Sequence, residues 1–268
     1  MKRTTLKKRL IGFAGMTLMM GMVLIGCQNN STEQQTNSGH THESGHVLVA
    51  STSWTGVIAK TAGAENVTIL APVDMRHPNE YDFKPSDVES VKNADMIFYS
   101  EYEPFMKKVF ESAATPVDHQ VAVMTENSPD NLKKQVKAIA EKLGTVEKAQ
   151  AWEKELDALF ATIGESAAKV EPAKKKAVVH MFMIPVAASM GYEVIGSFGP
   201  AEVSPTQAAE LAALKPAIII DNYHMPQGGE IAKIAEAPLV ELRNFPETEQ
   251  QTMLELIRSN AVKLGLLQ

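Results

Sequence analysis

The chain has 268 residues, 26 Lys and Arg against 32 Asp and Glu, a formal net charge of −6 and a single cysteine. That length is enough for two α/β units. The acidic balance argues against nucleic acid and against direct adhesion to anionic lipid, and one cysteine excludes a disulfide within the chain.

In chain order, the first element is an export leader. Lys2, Arg3, Lys7, Lys8 and Arg9 form a cationic start, followed by the uncharged run "LIGFAGMTLMMGMVLI". At 16 residues that run is short for a bilayer span, which needs about 20, and the layout predicts a signal peptide over residues 1–26. The run ends in "LIGC", which resembles the bacterial lipobox, so Cys27 is expected to carry a lipid and become the mature N-terminus. Residues 28–45, "QNNSTEQQTNSGHTHESG", have no apolar side chain and predict a disordered tether. Its "GHTHESGH" stretch groups His40, His42 and His46 as metal-collecting tracts do, although a solvated linker explains them as well. Loss of the leader removes five cations and leaves 21 Lys and Arg against 32 Asp and Glu, a net of −11. A protein this acidic is held at the membrane by its lipid.

From His46 onward short β-branched runs alternate with amphipathic stretches. "VLVAS", "VTILAP", "MIFYS" and "VAVM" predict strands, with "SWTGVIAKTAG", "SDVESVKNA" and "EPFMKKVFESA" as helices between them. A long helical region follows, broken at most once near Gly144. The alternation then resumes with "KKAVVHM", "YEVIGSF", "PAIIID" and "PLVELRN". This pattern predicts an α/β fold of two lobes, each a mostly parallel sheet flanked by helices. The expected bounds are 46–143 for the first lobe, 144–172 for a linking helix and 173–268 for the second lobe. Ser86 with Glu89 and Ser204 with Gln207 fit capping boxes, and Pro129 and Pro205 fit a first helical position.

Enzyme motifs are nearly absent, with no HExxH, Walker A loop or GxGxxG after a strand. "AASMG", residues 187–191, lacks the first glycine of a nucleophile elbow and falls in a helical pattern, so no catalytic residue is assigned. The histidines say more. His77 lies in "VDMRHPNEYDFKPSDV" after the second predicted strand, in a turn-rich loop with Pro72, Pro78, Pro85, Tyr81 and Phe83. His180 ends "AVVH", Asp221 ends "AIIID", and His224 follows three residues later. In open parallel sheets, ligands bind beyond the carboxyl ends of the strands. A single strand-end histidine is more often structural than functional. Three such groups from two lobes suit a divalent transition ion, zinc or manganese in the ordinary case. Met75, Met181, Met183 and Met225 flank these histidines, and thioethers favour soft ions such as Cu(I). With 14 methionines in the chain, core packing is the plainer explanation.

"HPNEYDFKPSDVESVKNADMIFYSEYEPFMKKV" resembles a segment of the metal-binding solute receptors of ABC transporters. These are the zinc/manganese type (cluster A-I), with a helical-backbone, TroA-like fold. "SPTQAAEL", "HMFMIPVAASMGYEVIG" and "PAIIID" are similar to later parts of the same family, so the resemblance covers residues 47–268. It implies a lipid-anchored, extracytoplasmic and monomeric receptor. Such a receptor captures a divalent metal between two lobes and passes it to a permease driven by a cytoplasmic ATPase. Small tilts, rather than wide hinge closure, accompany capture. By position, His77, His180 and Asp221 match three of the family's four ligands. The family's remaining histidine, in a "PHxW" segment before the helix after the first lobe's last strand, is replaced here by "TENSPDNL". His119, His224, Glu101 and Glu103 compete for that place. His119 is preferred because it comes from the first lobe. Two alternatives stay open: a receptor of the same fold for a chelated ligand of siderophore or corrinoid type, and a metallohydrolase using the same set, for which no general base is marked.

The leader generates one expectation directly. Cys27→Ala should move the mature protein from the membrane fraction to the soluble or secreted fraction, followed by fractionation and immunoblotting. Full retention in membranes would refute lipid anchoring.

Overall fold

The computed structural model describes residues 46–268; the leader, Cys27, His40 and His42 lie outside them. Eight strands alternate with helices among the described residues. The first half runs β1 (Leu48–Ala50), α1 (Ser53–Thr61), β2 (Thr68–Ile69), α2 (Pro85–Lys92), β3 (Met96–Tyr99), α3 (Pro104–Ala113) and β4 (Gln120–Ala122). Then come α4 (Pro129–Leu143) and the 23-residue α5 (Val146–Ala168). The second half runs β5 (Lys176–His180), α6 (Ile184–Ser189), β6 (Glu193–Phe198), α7 (Pro205–Ala213), β7 (Ile218–Asn222), α8 (Gly229–Ala235), β8 (Leu239–Leu242) and α9 (Met253–Lys263).

All pairings are parallel, in two four-stranded sheets ordered β2-β1-β3-β4 and β6-β5-β7-β8. Parallel strands need crossovers, and the intervening helices supply them while covering both faces of each sheet. The period-2 alternation is visible in the core. Leu48, Ala50 and Phe98 turn to one face with α1 and α4, while Val49 and Ile97 turn to the other with α2 and α3. In the second sheet Ala177, Val179, Ile218 and Ile220 share one face, and Val178 and Ile219 the other.

The inner faces of both sheets belong to a single buried cluster that also holds Leu156, Leu159 and Ile163 of α5. Helix α9, last in the chain, returns to pack on α5 and α1, so the C-terminal segment touches the first lobe as well as the second. No helix among the described residues is long and apolar enough to cross a membrane.

Local signals set the helix ends. Ser128 caps α4 by accepting from the Asn131 amide, and Pro129 stands at its first position. Ser204 does the same for α7 through Gln207, with Pro205 behind it, although the glutamine side chain does not reach back. Gly144 ends α4 at φ +70°, a left-handed cap that a glycine adopts without steric cost. The expected Ser86–Glu89 box is not formed. Helix α2 begins two residues earlier, at Pro85 with Lys84 as its cap, and the Asp87 carboxylate accepts from the Lys84 amide at 2.7 Å. Pro85 needs no amide partner, which favours the earlier start.

A core shared by both sheets should unfold as one unit. Leu156→Ala, at a fully buried site, is expected to cost about 2–5 kcal/mol. Urea denaturation should show one cooperative transition for both proteins; two separate transitions would refute the shared core.

Candidate metal site at the junction of the sheets

The carboxyl ends of the two sheets meet. Three contacts from segments that follow strands cross between them. The Asn127 side-chain amide donates to the Asn244 carbonyl. Trp54 lies 5.8 Å from Phe245, ring to ring. Arg76 donates from Nε and Nη2 to the Tyr223 carbonyl at 3.2 and 2.9 Å. Trp54 Nε1 also donates to Asn127 Oδ1 at 2.9 Å, so the same asparagine ties α1, the start of α4 and the end of β8 together.

His77 sits on the first-lobe side, exposed, at the tip of the loop after β2. The loop is fixed at both ends and at its middle. The Ala71 amide bonds Ser51, Met75 closes a turn on Pro72, and the His77 carbonyl accepts from Glu80 at 3.0 Å in a short 3-10 turn whose first residue is Pro78. Tyr81 is buried edge-on against Phe105 at 5.6 Å, and its hydroxyl donates to Asp87 at 2.8 Å. Burial and that carboxylate push the Tyr81 phenol up to about 12. Pro72, Pro78 and Pro85 restrict φ along the way. The loop therefore presents Arg76 and His77 toward the end of β7.

On the second-lobe side His180 ends β5 in full burial. Its Nδ1 accepts from the Phe182 amide at 3.2 Å, while Nε2 has no partner among the described residues. Burial holds this imidazole neutral, with a pKa lowered to about 4. Phe198 meets it edge-on at 5.5 Å. Gly199 lies so close that a Cβ there would stand 2.5 Å from Nε2, and its φ is +78°. A side chain at 199 would displace the ring.

Asp221 is the last residue but one of β7, the strand next to β5, and its carboxylate is largely occupied. Oδ1 accepts from the Asn222 amide at 2.8 Å, and Oδ2 from the Gln227 and Gly228 amides at 2.8 and 2.6 Å. Burial raises its pKa and those three amides oppose the shift. Its visible work is to hold the turn that leads into α8. His224 is 6% exposed, stacked on Phe245 at 3.5 Å and 18°, and set edge-on to Tyr223. Neither of its ring nitrogens has a partner among the described residues. Burial first, then the charge of Arg243, lowers its pKa to about 3; the Arg76 backbone opposes the shift, and the Arg76 and His77 side chains add smaller lowering effects.

The other candidates lie elsewhere or are engaged. His119 precedes β4, at the amino end of the sheet, and its Nδ1 stands 3.0 Å from the Ala94 carbonyl, just before β3. The preference for it as the fourth ligand is corrected on that ground, because parallel strands send their two ends to opposite edges. Glu101 is an exposed turn residue. Glu103 is buried, accepting from the Ser100 amide and the Thr52 hydroxyl at 2.9 Å each, with burial raising its pKa. His46 is exposed at the amino end of β1, 3.8 Å from Asp95. Met75 and Met183 pack into apolar clusters, and the Ser189 hydroxyl donates to Val186 within α6. Among the described residues no three His, Cys, Asp or Glu side chains converge on one point. Sequence reasoning missed the asparagines. Asn127 occupies the segment where the resembling family carries its other histidine. Asn222 and Asn244 pair at 3.3 Å beneath His224, whose amide donates to Asn222 Oδ1 at 2.8 Å.

The family model described as ZnuA, zinc-uptake complex component A, periplasmic, matches residues 48–261. No curated protein sequence matches the chain. Solved structures with a similar fold include the laminin-binding protein Lmb of Streptococcus agalactiae, described as a bifunctional protein with adhesin and metal-transporting activity. It shares 19% identity at a TM-score of 0.64, over 82% of this chain and 98% of that one. FpvC from P. aeruginosa, solved with Ni2+, gives 19% identity and 0.65, over 82% and 95%. The periplasmic zinc-binding protein TroA from Treponema pallidum gives 19% and 0.63, over 82% and 99%. Likenesses at 19% identity establish the fold; the match over 48–261 establishes more. The chain belongs to the family of periplasmic zinc-uptake components, the metal-binding solute receptors whose transported ligand is a divalent metal ion.

Proposed function

We propose that this protein is the extracytoplasmic receptor of an ABC-type metal importer. It captures a divalent ion where the two sheets meet and hands it to a permease driven by a cytoplasmic ATPase, without catalysing a reaction. The observation that carries the reading is the docking of the Arg76–His77 loop of one lobe on the Tyr223–His224 end of β7 in the other. A ligand held there touches both lobes, so its capture and release are coupled to their relative position. Cys27 would tether the receptor, as a monomer, to the outer face of the membrane.

Within this reading His77 and His180 are ligands. A neutral imidazole with an unpartnered nitrogen is a metal ligand that requires no proton to be removed. His180 meets that description. His77 is carried by a braced loop, so little ordering entropy is lost when an ion binds. Asp221 is the sequence's third candidate, and the amides that surround its oxygens leave it little freedom to turn toward an ion.

Protein purified without chelator should contain one ion per chain by elemental analysis and bind zinc or manganese tightly on titration. His77→Ala and His180→Ala should each weaken binding by more than about 100-fold, since outer-sphere changes alone cost 10- to 100-fold. Circular dichroism should show both variants folded. A wild-type protein that holds no protein-ligated ion would instead support a receptor for a chelated ligand.

A further inference from the structure

We propose that His224 is a ligand of this site, so that its donors are imidazoles without a carboxylate and its cargo is a nitrogen-preferring ion such as zinc, nickel or copper. This deepens the metal-receptor reading above and rests on it. His224 is 6% exposed, yet both ring nitrogens lack a partner among the described residues. A buried polar atom left unmet is destabilising, and such atoms in a folded protein call for an explanation. Packing alone does not supply one. A phenylalanine would fill the same stack on Phe245 and the same edge contact with Tyr223 without that cost.

The ring is also held as a ligand needs to be. Its plane is fixed by Phe245, its edge by Tyr223, and its backbone amide by Asn222, which Asn244 steadies in turn. The chain segment it belongs to receives the Arg76 guanidinium, one residue from His77. His77 and His224 are therefore brought together by the contact that joins the lobes. His180, one strand away at the same edge, offers the third imidazole nitrogen. The three rings do not yet meet at one point. His77, exposed at its loop tip, is the one that would complete the set.

The carboxylates are turned to other uses. Three backbone amides take up Asp221, and Gly228 packs so closely that a Cβ there would lie 3.0 Å from Oδ2. Glu103 is taken up by Ser100 and Thr52. Two guanidinium groups instead flank Tyr223, Arg243 at 3.6 Å and Arg76 at 5.2 Å from the ring centre, with Glu247 paired to Arg243. A hard ion such as Mn2+ depends on carboxylate and water oxygens, whereas zinc, nickel and copper bind imidazole well and stand higher in the general affinity order.

The test uses the mature full-length chain and its His224→Phe variant. Zn2+ and Mn2+ affinities are measured by competition with a chromophoric chelator, and nitrogen ligands are counted from the hyperfine structure of the Cu2+ electron paramagnetic resonance spectrum. Wild type should bind zinc at least about 100-fold more tightly than manganese and show three nitrogens. The variant should lose one nitrogen and bind zinc more than about 100-fold more weakly, with a thermal midpoint no lower than wild type. Unchanged zinc affinity in the variant, or equal wild-type affinity for zinc and manganese, overturns the inference and leaves the receptor reading standing. Wild type that binds no metal overturns both. Should the variant fail to fold, the wild-type nitrogen count and zinc-to-manganese ratio decide alone.

Discussion

One continuous apolar core sets the two sheets against each other, and the site depends on that setting. Leu156 and Ile163 of α5 are buried in the same cluster as Ala50 and Phe98 of the first sheet and Val179 and Ile220 of the second. A core shared by both sheets resists their sliding, because protein interiors are dense and tolerate little change in volume. Helix α9 adds a second strap by crossing back to α5 and α1. Opening the junction widely would expose this core to water, at roughly 25 cal/mol per Å2 of apolar surface.

At the junction the polar contacts form a chain rather than a scatter. Trp54 bonds Asn127, Asn127 bonds Asn244, Asn244 pairs with Asn222, and Asn222 accepts from His224. Each amide has both a donor and an acceptor to offer, which lets three asparagines run a path from the first lobe to the second. Their side chains do neutral, directional work at the junction. The lobes are thereby held together by the protein's own hydrogen bonds, while His180 Nε2 and both ring nitrogens of His224 have no partner among the described residues. Burial keeps His180 and His224 neutral, and at His224 the Arg243 and Arg76 guanidinium groups add to that effect while the Arg76 backbone opposes it.

Much of this was legible in the sequence. The alternation of β-branched runs with amphipathic stretches located all eight strands, and Pro129, Pro205 and Gly144 marked helix ends, because these signals act over a few residues and tertiary packing did not override them. The break between α4 and α5 and the α/β class follow from the same local physics. The parallel order also implied which loops lie at the carboxyl edges, and so placed His77, His180 and His224 at one junction. The same rule would have set His119 aside. It precedes its strand, and a residue before a strand lies at the opposite edge from one after it.

The tertiary structure alone decided how those groups are used. Whether Asp221 faces an ion or is enclosed by the amides of residues 222, 227 and 228 depends on the turn that follows it. That turn's geometry is not encoded in the aspartate. The bond from Asn127 to Asn244 joins positions 117 residues apart, and neither residue has a distinctive local pattern. From the sequence His224 is one of four candidates for the fourth place, with nothing local to prefer it. Its burial, its stack on Phe245 and its unmet nitrogens arise only once β7 and β8 lie side by side. Local sequence determines where a chain turns and which face is apolar; only packing between distant segments determines which polar atoms are satisfied and which remain available to a ligand.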